Sequence, residues 1–306
     1  MNALKFFIVV TIYLLDIFFG NVAFAQLIDT GANTGMQCYA HSINDSKDEV
    51  GVCTNAQGAF AFLSHAGQSA QILQSLVAGQ SCEANLVIDS GIAFGVCRDG
   101  NGAAQGVVWI NGGAPQTLPP LLGGVATEID AANEQGIAAG KSYDGSGNAT
   151  PVIWSANFTV ASPLPGTGLL GLGNLNCFPT DVADKTGSAL PTIVGSCPSG
   201  KGTTAAILWN PGLLNAYQAT MLPVPVNAAT CQANEVNAAG NIMGTCHLRS
   251  PVSQVAAWWA SANTPPNLLT SVGGTNEPYS TAFDMNASGE VTGIFTDSNK
   301  FNQVFY

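Results

Sequence analysis

The feature that most constrains this chain is a recurring segment. Cys82-Glu-Ala-Asn-Leu-Val-Ile-Asp-Ser-Gly-Ile-Ala-Phe-Gly-Val-Cys97 returns in altered form at near-even intervals along the chain. The other copies run from Cys38 to Cys53, Thr127 to Ser142, Cys177 to Cys197, Cys231 to Cys246 and Ser280 to Phe295, each closing on Gly-x followed by Cys, Ser or Phe. A unit this short cannot bury its apolar face alone, so the copies must stack into one array.

The cysteines define the inside of each copy. Residues that face each other in an antiparallel hairpin have a constant index sum, so the midpoint of a cross-strand cysteine pair falls on the turn. The midpoints are Asp45-Ser46, Asp89-Ser90, Gly187 and Ala238-Ala239, and the cysteine-free copies centre on Glu134-Gln135 and Ala287-Ser288. Most of these carry turn chemistry. Each copy therefore opens with a hairpin, and its open end is clamped by Cys38-Cys53, Cys82-Cys97, Cys177-Cys197 or Cys231-Cys246. No Cys-x-x-Cys or Cys/His spacing suited to a zinc site is present.

A Gly/Asp/Asn-rich turn follows each hairpin, as at Arg98-Asp-Gly-Asn-Gly102, and then an apolar strand ending in Trp109, Trp154, Trp209 or Trp258. The interval from the end of the hairpin, at Cys97, Ser142, Cys197 or Cys246, to the tryptophan is the same each time, and the regularity assigns these side chains to the core. A looser fourth strand comes next, for example Gln116 to Pro120. Four short strands per repeat make a propeller blade. The expected fold is all-β: a six-bladed β-propeller of four-stranded blades, disulfide-stapled, and a single domain over residues 26–306. The sixth copy stops in its third strand, whereas Gln26-Leu-Ile-Asp-Thr-Gly31 reads as an orphan fourth strand, so the ring is expected to be closed by the N-terminal strand. Closure would remove the two unpaired blade edges of an open array.

The steps Asn133-Glu-Gln-Gly-Ile-Ala-Ala-Gly140, Asn237-Ala-Ala-Gly-Asn-Ile-Met-Gly244 and Asn286-Ala-Ser-Gly-Glu-Val-Thr-Gly293, each followed by an apolar-aromatic strand, resemble the bacterial extracellular repeats called the HAF family. Ala61-Phe62-Leu63 is similar to that family's Ala-Phe-Leu-Trp strand, with Leu63 where Trp is expected. The resemblance implies an exported, propeller-like protein and no defined catalytic residues. The cysteine pairs depart from the family's usual pattern.

Residues 1–25 hold Lys5, the apolar run Phe6 to Gly20 and Ala23-Phe24-Ala25, the order of a secretory signal peptide cleaved after Ala25. A secreted or periplasmic protein is expected, in keeping with eight paired cysteines, and nothing after the signal reads as a membrane span. The net charge of -11, with Arg98 and Arg249 as the only arginines, excludes a phosphate-tracking nucleic-acid binder. The two arginines are also too few for the three-arginine carboxylate site of a sialidase, the fold's familiar six-bladed enzyme. His41, His65 and His247 come without a Gly-x-Ser-x-Gly elbow.

What remains is the inner strand of each blade. Counting from the cysteine position, the second place holds Tyr39, Glu83, Glu128, Phe178, Gln232 and Thr281, and the fourth holds His41, Asn85, Asp130, Thr180, Asn234 and Phe283. Regular alternation puts both places on one polar face. Lys141 and the two arginines are assigned to the rim at the bridge end, and acidic turns crowd the opposite end. The expected ligand site is therefore the bridge-end mouth, with Glu83, Glu128 and Asp130 in the channel and Arg98 and Arg249 at the rim. It would take a polar ligand, glycan or protein, with a channel-bound cation as a further option. The chain reads as a monomeric binding or scaffold module without catalytic residues, metal or cofactor. The alternative is a secreted hydrolase or lyase with its site at the propeller mouth.

Overall fold

A computed structural model describes residues 36–166, 176–184, 190–198, 203–212, 216–249, 252–272, 275–276, 279–297 and 299–306. The expected signal, the expected closing strand Gln26 to Gly31 and the centre of the fourth hairpin lie outside the described residues. Five four-stranded antiparallel sheets and one three-stranded sheet succeed one another, with a two-stranded ribbon, Ser271–Val272 and Thr275–Asn276, before the last. Each sheet is one sequence repeat. The chain is a six-bladed β-propeller, and no helix occurs among the described residues.

The first strands of the blades are Gln37–Ile43, Cys82–Val87, Gly124–Ala132, Phe178–Val182, Ala228–Val236 and Ser280–Met285. From the second blade on, each packs against the second and third strands of the blade before it. Apolar residues consequently collect between blades. Between the first two, Val50 and Leu63 meet Ala84, Val87 and Trp109, and four further cores of this kind separate the remaining successive blades.

All four bridges form as the midpoints require. Cys38, Cys82 and Cys231 stand directly opposite Cys53, Cys97 and Cys246 in the ladder. Thr127 and Ser280 hold the same place in the two bridgeless blades. The Thr127 hydroxyl accepts the Gly106 N–H at 2.8 Å and donates to the Leu118 carbonyl, both in the preceding blade. The Ser280 hydroxyl does the same with Ala256 and Leu269.

Tryptophan burial is as expected, with one correction. Trp109, Trp154, Trp209 and Trp259 are fully buried, and each indole N–H donates to a backbone carbonyl of the preceding blade. The fifth blade thus uses Trp259, not Trp258. Cys246 pairs with Val255 whereas Cys97 pairs with Gln105, so the intervening turn is one residue longer in the fifth blade than in the second. Likewise the ladder puts Ser64, not Leu63, at the tryptophan place of the first blade, two residues beyond Phe62, the partner of Gly51.

A second correction bears on the site. At the same place in every blade the ladder between first and second strands skips a residue: His41, Asn85, Asp130, Thr180, Asn234 or Phe283. These are six equivalent β-bulges. The glycine of the repeated Gly-x-Cys step faces each one. A Cβ on Gly95 would run into the Glu83 carbonyl, and one on Gly140 into the Glu128 carbonyl. One extra residue shifts the alternation beyond it by one, so the fifth place also comes into phase with the second.

Candidate functional site

At the bridge end, Glu128 and Asp130 come from the first strand of the third blade, on either side of Ile129, whose side chain is buried. Lys141 in the second strand pairs directly with Glu128, so its ammonium lies on the same face. It stands 3.1 Å from Glu128 Oε2 and 3.5 Å from Asp130 Oδ1. Two residues on, the Tyr143 hydroxyl donates to Glu128 Oε2 at 2.5 Å. Phe178 of the fourth blade closes one side, its ring centroid 5.9 Å from Lys141 Nζ, within cation–π range.

The electrostatics separate the two acids. Burial pushes Glu128 up, but the Tyr143 hydroxyl and Lys141 outweigh it and hold the carboxyl below its ordinary range. Burial lifts Asp130 to about 6, against the partial offset of Lys141. Asp130 Oδ2 is shielded and has no hydrogen-bond partner. For Lys141, burial acts downward, and Asp130 and Glu128 overcome it to raise the ammonium above its usual value. The cluster is a charged, partly desolvated group with Glu128 still 40% exposed to the channel.

The other expected site residues are distributed differently. Glu83 is exposed in the second blade, 3.4 Å from His41 of the first, whose Nδ1–H donates to the Ala84 carbonyl at 3.1 Å. Arg98 and Arg249 end the second strands of the second and fifth blades and are both exposed, with the Arg98 guanidinium donating to Gly102 of its own turn. The structure therefore unites Glu128 with Asp130, gives Glu83 a different partner, and leaves the arginines on separate parts of the rim. Lys141, expected at the rim, instead lies inside the ladder between the two acids. Tyr143 was not expected at all, although it stands two residues from Lys141 on the same strand face.

The opposite mouth is acidic and knitted. Asp89 accepts the Asp45 N–H at 2.8 Å, Glu134 accepts that of Asp89 at 2.7 Å, and Asp184 accepts that of Glu134 at 2.7 Å. Each carboxylate thereby joins its blade to the one before. Burial, with the neighbouring carboxylates, raises Glu134 above its usual range. Alongside, a cavity of about 340 Å³ runs from Asn133 and Glu134 past Asp181 and Asp184 to Glu235 and Asn237. Asp181, Glu235 and Asp284 occupy the fifth place of the last three blades. Without the bulge, regular alternation would put that place out of phase with the second.

No family model matches the chain, and no curated protein is similar to it, so the likeness to HAF repeats remains one of motifs. Among solved structures, it is similar to a lectin from Burkholderia pseudomallei at 13% identity, covering 87% of this chain and 79% of that one, with a TM-score of 0.43. AofleA from Arthrobotrys oligospora is 11% identical over 94% of this chain and 92% of its own, with a TM-score of 0.41. An ulvan lyase is 10% identical over 93% and 80%, with a TM-score of 0.48. Likenesses at this level carry no information on ligand or activity.

Proposed function

We propose that this chain is an exported binding module whose bridge-end channel mouth takes a neutral, polyhydroxylated ligand, that is, a glycan. The observation that carries the reading is the Glu128–Lys141–Asp130–Tyr143 cluster flanked by Phe178. Ionised carboxylates accept hydroxyl protons, an ammonium donates to ring and hydroxyl oxygens, and an aromatic edge packs against the C–H face of a sugar. Two acids against one lysine disfavour an anionic ligand, and Glu83 adds to that bias. Four disulfides suit an oxidising exterior.

The test is a glycan array with the oxidised protein, followed by titration of any hit against Glu128→Gln and Lys141→Met. Loss of one hydrogen bond to a charged group, about 1.5–3 kcal/mol, predicts roughly 10- to 100-fold weaker binding. Unchanged affinity in both variants, with the fold intact, removes the site. One observation favours the alternative of a hydrolase or lyase. Asp130 titrates near 6 while its neighbour Glu128 stays ionised, the kind of divided pair that supplies an acid and a base. Product release from a bound glycan that disappears in Asp130→Asn would decide for that reading.

A further inference from the structure

The fifth-place acids of the last three blades are not needed for the site at the bridge end. Asp181 Oδ2 accepts the Val236 N–H of the fifth blade at 2.8 Å. Glu235 Oε1 accepts the Met285 N–H of the sixth blade at 3.3 Å, and Asp284 accepts the same N–H at 2.8 Å. Each of the first two carboxyls thus straps its own blade to the next one. The charged groups acting on Glu235 are Asp181 from one side and Asp284 from the other, and Asp184 with Asp284 acts on Asp181. None of these is a cation. Nor do the three carboxyls converge as the ligands of one metal ion would.

Carboxylates brought together without a counter-charge cannot all ionise cheaply, so the arrangement retains a proton. We propose that Asp181, Glu235 and Asp284 form a proton-held clasp across the fourth, fifth and sixth blades, which tightens this mouth of the channel in acid and loosens it in alkali. Protonated, Glu235 donates to Asp284 while still accepting from Met285, and the seam between the fifth and sixth blades is strapped. Ionised, it places a negative charge between two others, and the seam and the cavity beside it open. Burial, with Asp181 and Asp284, lifts Glu235 from 4.5 to about 8, and burial lifts Asp181 from 3.8 to about 6. Because both values are raised in the folded state, that state binds the extra proton between the two limits. The stabilisation is complete below about 4 and is lost as pH rises towards 8.

Hydrogen exchange, corrected for intrinsic rate, tests the clasp at the two strapped amides, Val236 and Met285. In the wild type their protection should fall at least tenfold between pH 5 and pH 9, while Val108 in the second blade stays constant. Glu235→Gln keeps a donor and an acceptor without the charge, so its Met285 protection should be flat across the same range. A flat wild-type profile, or a wild-type slope retained in Glu235→Gln, overturns the proposal. Should that variant fail to fold, carboxyl NMR of the wild type serves instead: a Glu235 midpoint near 8 supports the clasp, and one in the ordinary range near 4.5 refutes it.

Discussion

Thr127 and Ser280 stand where the other four blades carry a cysteine, and each uses its hydroxyl to join its blade to the preceding one. Gly106 is buried, and the structure gives its N–H the Thr127 oxygen as acceptor, while the same hydroxyl donates to Leu118. Thr127→Val keeps the shape and removes both bonds. An unsatisfied buried donor costs about 1–3 kcal/mol, so the variant should unfold at lower denaturant, with an unchanged slope. A midpoint equal to wild type would mean that the hydroxyl is not what joins the second and third blades. The same reasoning explains why Lys141 escaped a reading by turns and rims. Its pairing with Glu128 follows from the same index sum as Thr127 with Ser142, whereas its approach to Asp130 depends on the bulge there.

At the scale of the hairpin, the cysteines were a sufficient guide to pairing. Their midpoints specified the four bridges and the antiparallel pairing of the first two strands in those blades, since cross-strand partners have a constant index sum. What alternation could not reveal was the bulge. A pattern with period two is read straight through an inserted residue, so it does not bring Asp181, Glu235 and Asp284 into view as members of the second place's face. A sequence signal was available. The glycine two residues before Cys53, Cys97, Cys197 or Cys246 recurs in all six copies, where a strand centre ordinarily prefers a side chain. The bridges and the bulges act at the same strands but on different quantities: bridges restrict the unfolded chain, bulges aim side chains. Replacing Cys82 and Cys97 together by serine opens a loop with a sequence separation of 15 and should lower stability by up to about 3 kcal/mol, leaving the fold and Glu83 in place. Chemical denaturation measures this, and a double variant that does not fold at all would show that the bridge does more than restrict the unfolded chain.

For the whole molecule, the spacing within the blades bears on how the ring closes. In five of them a leucine just beyond or within the fourth strand, Leu73, Leu118, Leu164, Leu222 or Leu269, donates its N–H to the third strand. Leu73, Leu118 and Leu222 stand equally far ahead of the next cysteine place, at Cys82, Thr127 and Cys231, and Leu164 and Leu269 stand slightly farther ahead of Cys177 and Ser280. Leu27 and Ile28 precede Cys38 by intervals that fall inside the same window. The third strand of the sixth blade, Asn302–Phe305, has the corresponding edge. Its Val304 is 76% exposed, although the equivalent Ala61, Ala206 and Ala256 are fully buried. Tyr39, in the first strand of the first blade, is 58% exposed. If Gln26 to Gly31 closes the ring as its sequence predicts, this spacing brings Leu27 and Ile28 to that edge. Burying two such side chains is worth roughly 3 kcal/mol or more, and closure also covers an edge that would otherwise recruit other chains. A protein beginning at Ala32 should therefore melt below one beginning at Gln26, lose protection at the Val304 amide and self-associate in sedimentation. If it melts alike, stays monomeric and keeps that protection, the sixth blade is completed by something other than the N-terminal strand.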